Sequence, residues 1–301
     1  MTITLILALM MQFVVATKAG LVNFVQGFTS VKATELVPEG TPIRTGPNGY
    51  VELLLTPGSF LRMAPNSEAV LDSVDLSKVA VRILQGVANV EVVELNSYPI
   101  QVTTGNLKVE ITSTGIYRFG DGLATVIEGK IQTADSQISY KKGWQLSHSI
   151  NYKARRVSDT ELSALDIFSK TRSELMASAN MSLAPVVSRT AYQSSAPYWL
   201  FYPALGAYTY MPLRNSRSPY GFNYRGVEST YVTRNNGGEG GSSGSVASSP
   251  NGRPADSGSR DSGSFNSSGE RTISTPSGGR MTPGEYQGSK STTVPAKVPT
   301  P

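Results

Sequence analysis

The chain has 301 residues and a formal net charge of +5, from 27 Lys and Arg against 22 Asp and Glu. Its hydrophobic content of 39% and charged content of 16% are low for a wholly folded chain of this length, and 29 Gly with 18 Pro mark where the shortfall lies. Cys is absent and His148 is the single histidine, which excludes disulfides, thiolate chemistry and any multi-His metal site. Residues 20–150 carry a charge balance of −2, residues 151–233 of +4 and residues 234–301 of +2. None of these regions holds the dense basic run that phosphate backbones select, so no nucleic-acid partner is expected.

Residues 1–19 read as a signal peptide. Ile3 to Met11 and Phe13 to Ala16 make an apolar run of about fifteen residues, short of the roughly twenty that a membrane span needs. Small residues close it at two junctions, after Ala16 (Val14-Val15-Ala16) and after Ala19 (Thr17-Lys18-Ala19). No Lys or Arg precedes the run. The expectation is an exported protein, periplasmic or at the cell surface. The competing reading is an N-terminal strand or helix buried in the fold.

Residues 20–150 hold short apolar runs separated by turn signals. Val79-Val81-Ile83 and Leu107-Val109-Ile111 alternate with polar residues, and β-branched side chains dominate. Turn signals recur every 8–12 residues or so, among them Pro47-Asn48-Gly49, Thr56-Pro57-Gly58, Gln85-Gly86 and Glu128-Gly129. This spacing predicts an all-β domain, either a two-sheet sandwich or a β-solenoid. One hairpin is legible in register: across the Thr56-Pro57-Gly58 loop the pairs run Leu54–Phe60, Leu53–Leu61 and Glu52–Arg62. Val51, Leu53, Leu61 and Met63 then share a core face. Glu52 opposes Arg62 on the other, partly covered face, where it sets register and has no chemical role.

The stretch from Thr45 through Gly46, Gly49, Glu52, Pro57 and Gly58 to Arg62 resembles the FecR domain, the periplasmic sensory domain of ferric-citrate-type regulators. Gly86 in Leu84–Ala88, Tyr117 in Gly115–Phe119 and Gly129 in Val126–Lys130 extend the likeness over about residues 20–150. It is nearest to the versions in exported proteins of soil bacteria such as acidobacteria. The resemblance implies a stack of short strands in two facing sheets. It also implies a role in relaying an extracellular signal, usually iron uptake, to a cytoplasmic anti-sigma segment. The regulators place that segment and a transmembrane helix ahead of the sensory domain. Here a signal-like sequence stands in that place, so an exported stand-alone relative is expected.

Ser158-Asp159-Thr160-Glu161 is a capping-box pattern with Ser158 as N-cap. Leu162, Leu165, Phe168, Leu175, Met176 and Ala179 follow at near-helical spacing, which predicts an amphipathic helix over 158–180 with Arg172 and Glu174 facing outward. Residues 190–233 are rich in Tyr, Trp and Pro. Tyr198–Tyr202 and Ala207–Tyr210 flank Pro203–Gly206 as a β-hairpin. Tyr198, Trp199, Tyr202, Tyr208 and Tyr210 serve either as a strap over the β domain or as a contact surface for a protein, a glycan or a membrane interface. From Arg234 to Pro301 the Gly/Ser/Pro-rich composition cannot offset ordering entropy by burial, and a disordered tail is expected.

The motif search returns no phosphate loop and no dinucleotide fingerprint. Ser147-His148-Ser149 lacks a nearby Asp, and no catalytic triad is expected from it. Asp72, Asp75, Glu91 and Glu94 read as solvated carboxylates at strand ends or turns. No catalytic residue, metal site or cofactor is expected. The functional expectation is a non-enzymatic FecR-domain protein, sensory or scaffolding, that binds an envelope or membrane-receptor protein. The alternative is an envelope glycan binder acting through the aromatic segment.

Overall fold

The computed structural model describes residues 13–14, 18–148, 153–157, 163–189 and 194–227. The expected tail over 234–301, the expected cap Ser158–Glu161 and most of the signal-like segment lie outside these residues. In chain order the first strands are β1 (Phe13–Val14), β2 (Leu21–Gln26), β3 (Pro42–Arg44), β4 (Tyr50–Leu54), β5 (Ser59–Met63), β6 (Glu68–Ser73), β7 (Ala80–Gln85) and β8 (Val87–Val92). Then come β9 (Ile100–Thr104), β10 (Leu107–Ile111), β11 (Gly115–Gly120), β12 (Leu123–Glu128), β13 (Lys130–Thr133), β14 (Ser139–Lys141), β15 (Trp144–Ser147) and β16 (Lys153–Arg156). Helix α1 (Ala164–Val187) precedes β17 (Tyr198–Tyr202), β18 (Ala207–Met211), β19 (Ser216–Arg217) and β20 (Asn223–Tyr224).

Two large sheets make the all-β body. One has the order β14-β13-β10-β9-β7-β6-β3, the other β16-β15-β12-β11-β8-β5-β4-β2. Their neighbours pair antiparallel, apart from β7 with β9. Strand β16 carries the second sheet past residue 150, because Trp144–Ser147 finds its partner in Lys153–Arg156. Alternation along each strand sends every second side chain into the shared core. Val51, Leu53, Leu61, Met63, Val90 and Val92 of the eight-stranded sheet meet Leu71, Val81, Ile83, Val102 and Val109 of the seven-stranded one. Each such buried Val or Leu contributes about 1.5–3 kcal/mol relative to exposure.

The β4–β5 hairpin has the register read from the sequence, with Glu52 opposite Arg62 and Leu53 opposite Leu61. Its loop closes because the Ser59 N–H donates to the Thr56 carbonyl at 2.7 Å. Pro57 presets the first corner and Gly58, at φ +87°, supplies the second, the signature of a type II turn. Other glycines of the motif sit where a neighbour presses close. A Cβ on Gly49 would lie 2.3 Å from the Phe28 carbonyl oxygen, and one on Gly46 would lie 2.9 Å from the Phe28 ring. One on Gly86 would lie 2.4 Å from Ser67 Oγ. Gly129, at φ +95°, lets the buried Tyr117 hydroxyl approach the backbone, where it donates to the Ser113 carbonyl at 2.7 Å and accepts the Lys130 N–H at 3.1 Å.

Helix α1 begins at Ser163, later than the expected start. Asp166 N–H donates to Ser163 Oγ and Ser163 N–H donates to Asp166 Oδ2 at 2.8 Å, a capping box three residues apart. The helix runs to Val187, past the expected end at residue 180. Its buried face differs from the apolar stripe. Asp166, Ser169, Arg172, Ser173 and Asn180 are buried beside Leu165, Met176 and Ala184, whereas Ile167 and Leu175 are exposed. Glu174 faces outward as expected, but Arg172, expected to do the same, is 4% exposed.

Candidate functional site

The reason for the helix's polar underside lies on the sheet beneath it. Alternation that sends Leu53, Leu61 and Val90 into the core sends Glu52, Arg62 and Glu91 to the outer face of β4, β5 and β8. Arg62 Nε donates to Glu52 Oε2 at 2.7 Å, and its Nη1 donates to Glu91 Oε2 at 2.5 Å. From α1, Arg172 Nη2 donates to Glu52 Oε1 at 2.8 Å and the Ser173 hydroxyl donates to Glu91 Oε1 at 2.7 Å. Asn23 completes the set. Alternation from the core residue Val22 turns its amide toward the outer face, where Nδ2 donates to Glu52 Oε1 at 2.8 Å, and a β-bulge between Val22 and Phe24 brings the Phe24 ring to the same face against Phe168. Both arginines also lie over aromatic rings, Arg62 over Phe60 at 4.9 Å and Arg172 over Phe24 at 4.3 Å.

Glu52 and Arg62 are wholly buried, and Glu91 is 1% exposed. Glu91, expected as a solvated carboxylate, is therefore a buried ion-pair member. A second tie lies near the helix start, where Arg118 of β11 donates to Asp166 and Asn89 Nδ2 donates to Asp166 Oδ1 at 3.1 Å. Burial alone would raise the Asp166 carboxyl, but hydrogen bonds from Arg118 and Ser163 outweigh it and lower it. These ion pairs and hydrogen bonds cross from the sheet to the helix, so the arrangement is suited to clamping α1 onto the sheet.

Burial would push Glu52 up, yet Arg172 and Arg62 hold it down, from an ordinary 4.5 to about 2. Glu91 goes the other way, because burial outweighs the pull of Arg62 and Ser173 and raises it. The Arg62 guanidinium is held above its ordinary value, since Glu91 and Glu52 overcome the penalty of burial. A carboxylate lowered by folding contributes stability above its unfolded value and loses it as pH falls toward the folded one. Glu52 should therefore supply about 3 kcal/mol above pH 5, lost progressively as pH drops to about 2. The raised Glu91 contributes in the opposite sense, with stability present at low pH and lost as pH rises through its folded value. Urea unfolding at stepped pH should show a steep acid loss in the wild type and a distinctly flatter one in Glu52→Gln. Equal slopes would mean that Glu52 is solvated.

The aromatic segment covers the same outer face. β17 and β18 pair from Tyr198↔Met211 to Tyr202↔Ala207, the expected hairpin around Pro203–Gly206. Trp199 packs edge-on against Phe60 at 5.2 Å and Tyr210 at 5.9 Å, in a cluster with Leu54, Val93 and Met176. The Tyr210 hydroxyl donates to Glu94, and burial with that carboxylate holds its pKa far above the ordinary value. Tyr198 packs with Leu200, Met211, Ala184 and Val187. Of the five rings considered as a contact surface, Tyr198, Trp199 and Tyr210 are buried. Tyr202 and Tyr208 are half-buried, with Tyr208 stacked edge-on against Phe201. A ring with no open face cannot stack on a sugar, so these three are cover, not a glycan platform.

His148 lies exposed at the end of β15, and Ser149 beside it is outside the described residues. Among the described residues no group of three or more His, Asp or Glu converges as a metal site would require. No helix among them is long and apolar enough to cross a membrane.

No curated protein sequence matches the chain. Two crystal structures of a "putative anti-sigma factor" from Parabacteroides distasonis, at 1.65 Å and 2.50 Å, are similar at 14% identity. The first similarity covers 44% of this chain and 64% of that one with a TM-score of 0.34; the second covers 50% and 73% with a TM-score of 0.33. The family model described as FecR protein matches residues 41–132, which run from β3 to β13 and include Glu52, Arg62 and Glu91. Residues 41–132 thus match a FecR domain, which takes in β4, β5, β8, β11 and β12 of the eight-stranded sheet and the strands from β13 to the edge strand β3 of the seven-stranded one.

Proposed function

We propose that this is an exported, non-enzymatic FecR-domain protein that acts by binding another protein, in signalling or in envelope scaffolding. The observation that carries the reading is the FecR match over residues 41–132, a domain type whose resemblance implies signal relay. The buried state of the Glu52–Arg62–Glu91–Arg172 cluster supports a binding role, because these ionisable side chains are shut away from any substrate. The apolar run before Ala16 supports export.

Two measurements test the reading. Fractionation with N-terminal sequencing should find the protein outside the cytoplasm without its first residues; an intact Met1 in the cytosol overturns export. A deletion strain should show a changed transcript profile if the protein signals, or a weakened envelope if it scaffolds. A strain with neither defect overturns the role.

A further inference from the structure

The β17–β18 hairpin has two backbone edges, and the fold treats them differently. The β18 edge is sealed by side-chain amides that imitate peptide groups. Asn23 Nδ2 donates to the Tyr208 carbonyl at 3.0 Å while its Oδ1 accepts the Tyr208 N–H at 2.7 Å. Asn180 Nδ2 likewise donates to the Tyr210 carbonyl at 3.0 Å and to the Arg225 carbonyl at 3.2 Å. The β17 edge is met by β1, which pairs Phe13 with Leu200 and Val14 with Trp199. Those two residues belong to the apolar run that reads as a leader.

The main core takes hold of the chain after that run, from Ala19 onward. Ala19 is fully buried in the main core and its N–H donates to the Val74 carbonyl at 2.8 Å. Gly20 is buried too, and its N–H donates to the Leu54 carbonyl at 2.8 Å. Cleavage after Ala19 would delete a core residue and place a charged amine on buried Gly20. Cleavage after Ala16 leaves both contacts in place and still removes β1. An uncovered edge strand of Tyr-Trp-Leu-Phe-Tyr is a template for pairing with another chain.

On the export reading given above, we propose that the β17 edge is a strand-acceptor site which cleavage after Ala16 opens. In the uncleaved chain it is filled by residues 13–14; in the processed chain it takes an extended, apolar strand of a partner protein, antiparallel to Tyr198–Tyr202. The segment seated there defines that chemistry, since it is apolar, extended and antiparallel. Backbone pairing supplies affinity and the flanking side chains supply choice of partner.

The probe is a labelled synthetic peptide carrying residues 9–16, flanked by lysines for solubility. Residues 17–301 should bind it saturably. N-methylation at its Phe13 and Val14 equivalents, adjacent residues of which one turns its N–H to β17, should weaken binding at least about threefold, the loss expected for one backbone hydrogen bond. The chain that keeps residues 1–16 should bind it at least about tenfold more weakly, because its edge is already filled. No binding to residues 17–301, equal binding of the methylated peptide, or equal binding to both chain forms overturns the proposal. A stable dimer of residues 17–301 in sedimentation overturns it as well, by assigning the edge to a second copy. An intact Met1 in the native host overturns the export reading, while the titration judges the edge by itself.

Discussion

Arg62→Met should cost about 3–5 kcal/mol of folding stability, read as a lower urea midpoint at unchanged m-value. The reason is geometric. Arg62 is the cation that bridges two carboxylates, Glu52 at 2.7 Å and Glu91 at 2.5 Å, and all three are buried. Removing it leaves Glu91 held by the Ser173 hydroxyl of the helix, and leaves Glu52 dependent on Arg172 and Asn23. Methionine fills much of the volume, so the loss reports uncompensated charge more than a cavity. The second half of the test separates charge from packing. Replacing the whole set at once, with Glu52→Leu, Arg62→Met, Glu91→Leu and Arg172→Met, should return stability to within about 1–2 kcal/mol of the wild type. A loss below about 1 kcal/mol in the single variant would place the cluster in solvent. A quadruple variant as unstable as the single one would mean that packing, not charge, sets the cost.

That cluster also marks where sequence reading stopped. The β4–β5 register was legible because a turn of defined type, Pro57 then Gly58, leaves one pairing that keeps Val51, Leu53, Leu61 and Met63 together. The two-sheet class was legible from the same period-2 alternation and turn spacing. What lies across the sheet was not. Glu91 stands 29 residues from Arg62 and Arg172 stands 120 residues from Glu52, and no local pattern joins them. A lone Glu–Arg pair on a strand face reads as a surface bridge of little worth; with a helix over it, it becomes the foundation of an interface.

The helix misled for a related reason. A stripe of Leu, Phe and Met is expected to face the core because most helices dock on apolar surface. The sheet under α1 offers Glu52, Glu91 and Asn89 instead, so Arg172, Ser173 and Ser169 turn inward and Leu175 is left outside. Asn23 was hidden differently. Alternation from Val22 already sets it on the outer face, but the partners that occupy its amide, Glu52 and Tyr208, lie 29 and 185 residues away. Polar docking of this kind contributes little net stability, but each donor fits one acceptor, which ties α1 to a single position on the sheet.

Trp199→Ala should cost about 3–5 kcal/mol and should act on one layer of the molecule. Trp199 is 1% exposed and sits between Phe60 of the sheet and Tyr210 of its own hairpin. Its cluster also holds Met176 and Ala177 of α1, so it joins the three parts of the outer layer. The main core, with Val81, Val102, Val109 and Leu61, lies on the opposite face of the eight-stranded sheet and shares none of these residues. Amide hydrogen exchange should therefore quicken across α1, β17 and β18 while β9 and β10 keep their protection. The chain has two tryptophans, so the variant's emission comes from Trp144, half-buried at the start of β15, and should be nearly unchanged below the main transition. Uniform loss of protection through β9 and β10 would mean that the two layers unfold as one unit. A cost below about 1 kcal/mol would mean that the hairpin and helix stay on the sheet through their polar contacts alone, with Asn23, Asn180 and Arg172 sufficient to hold them.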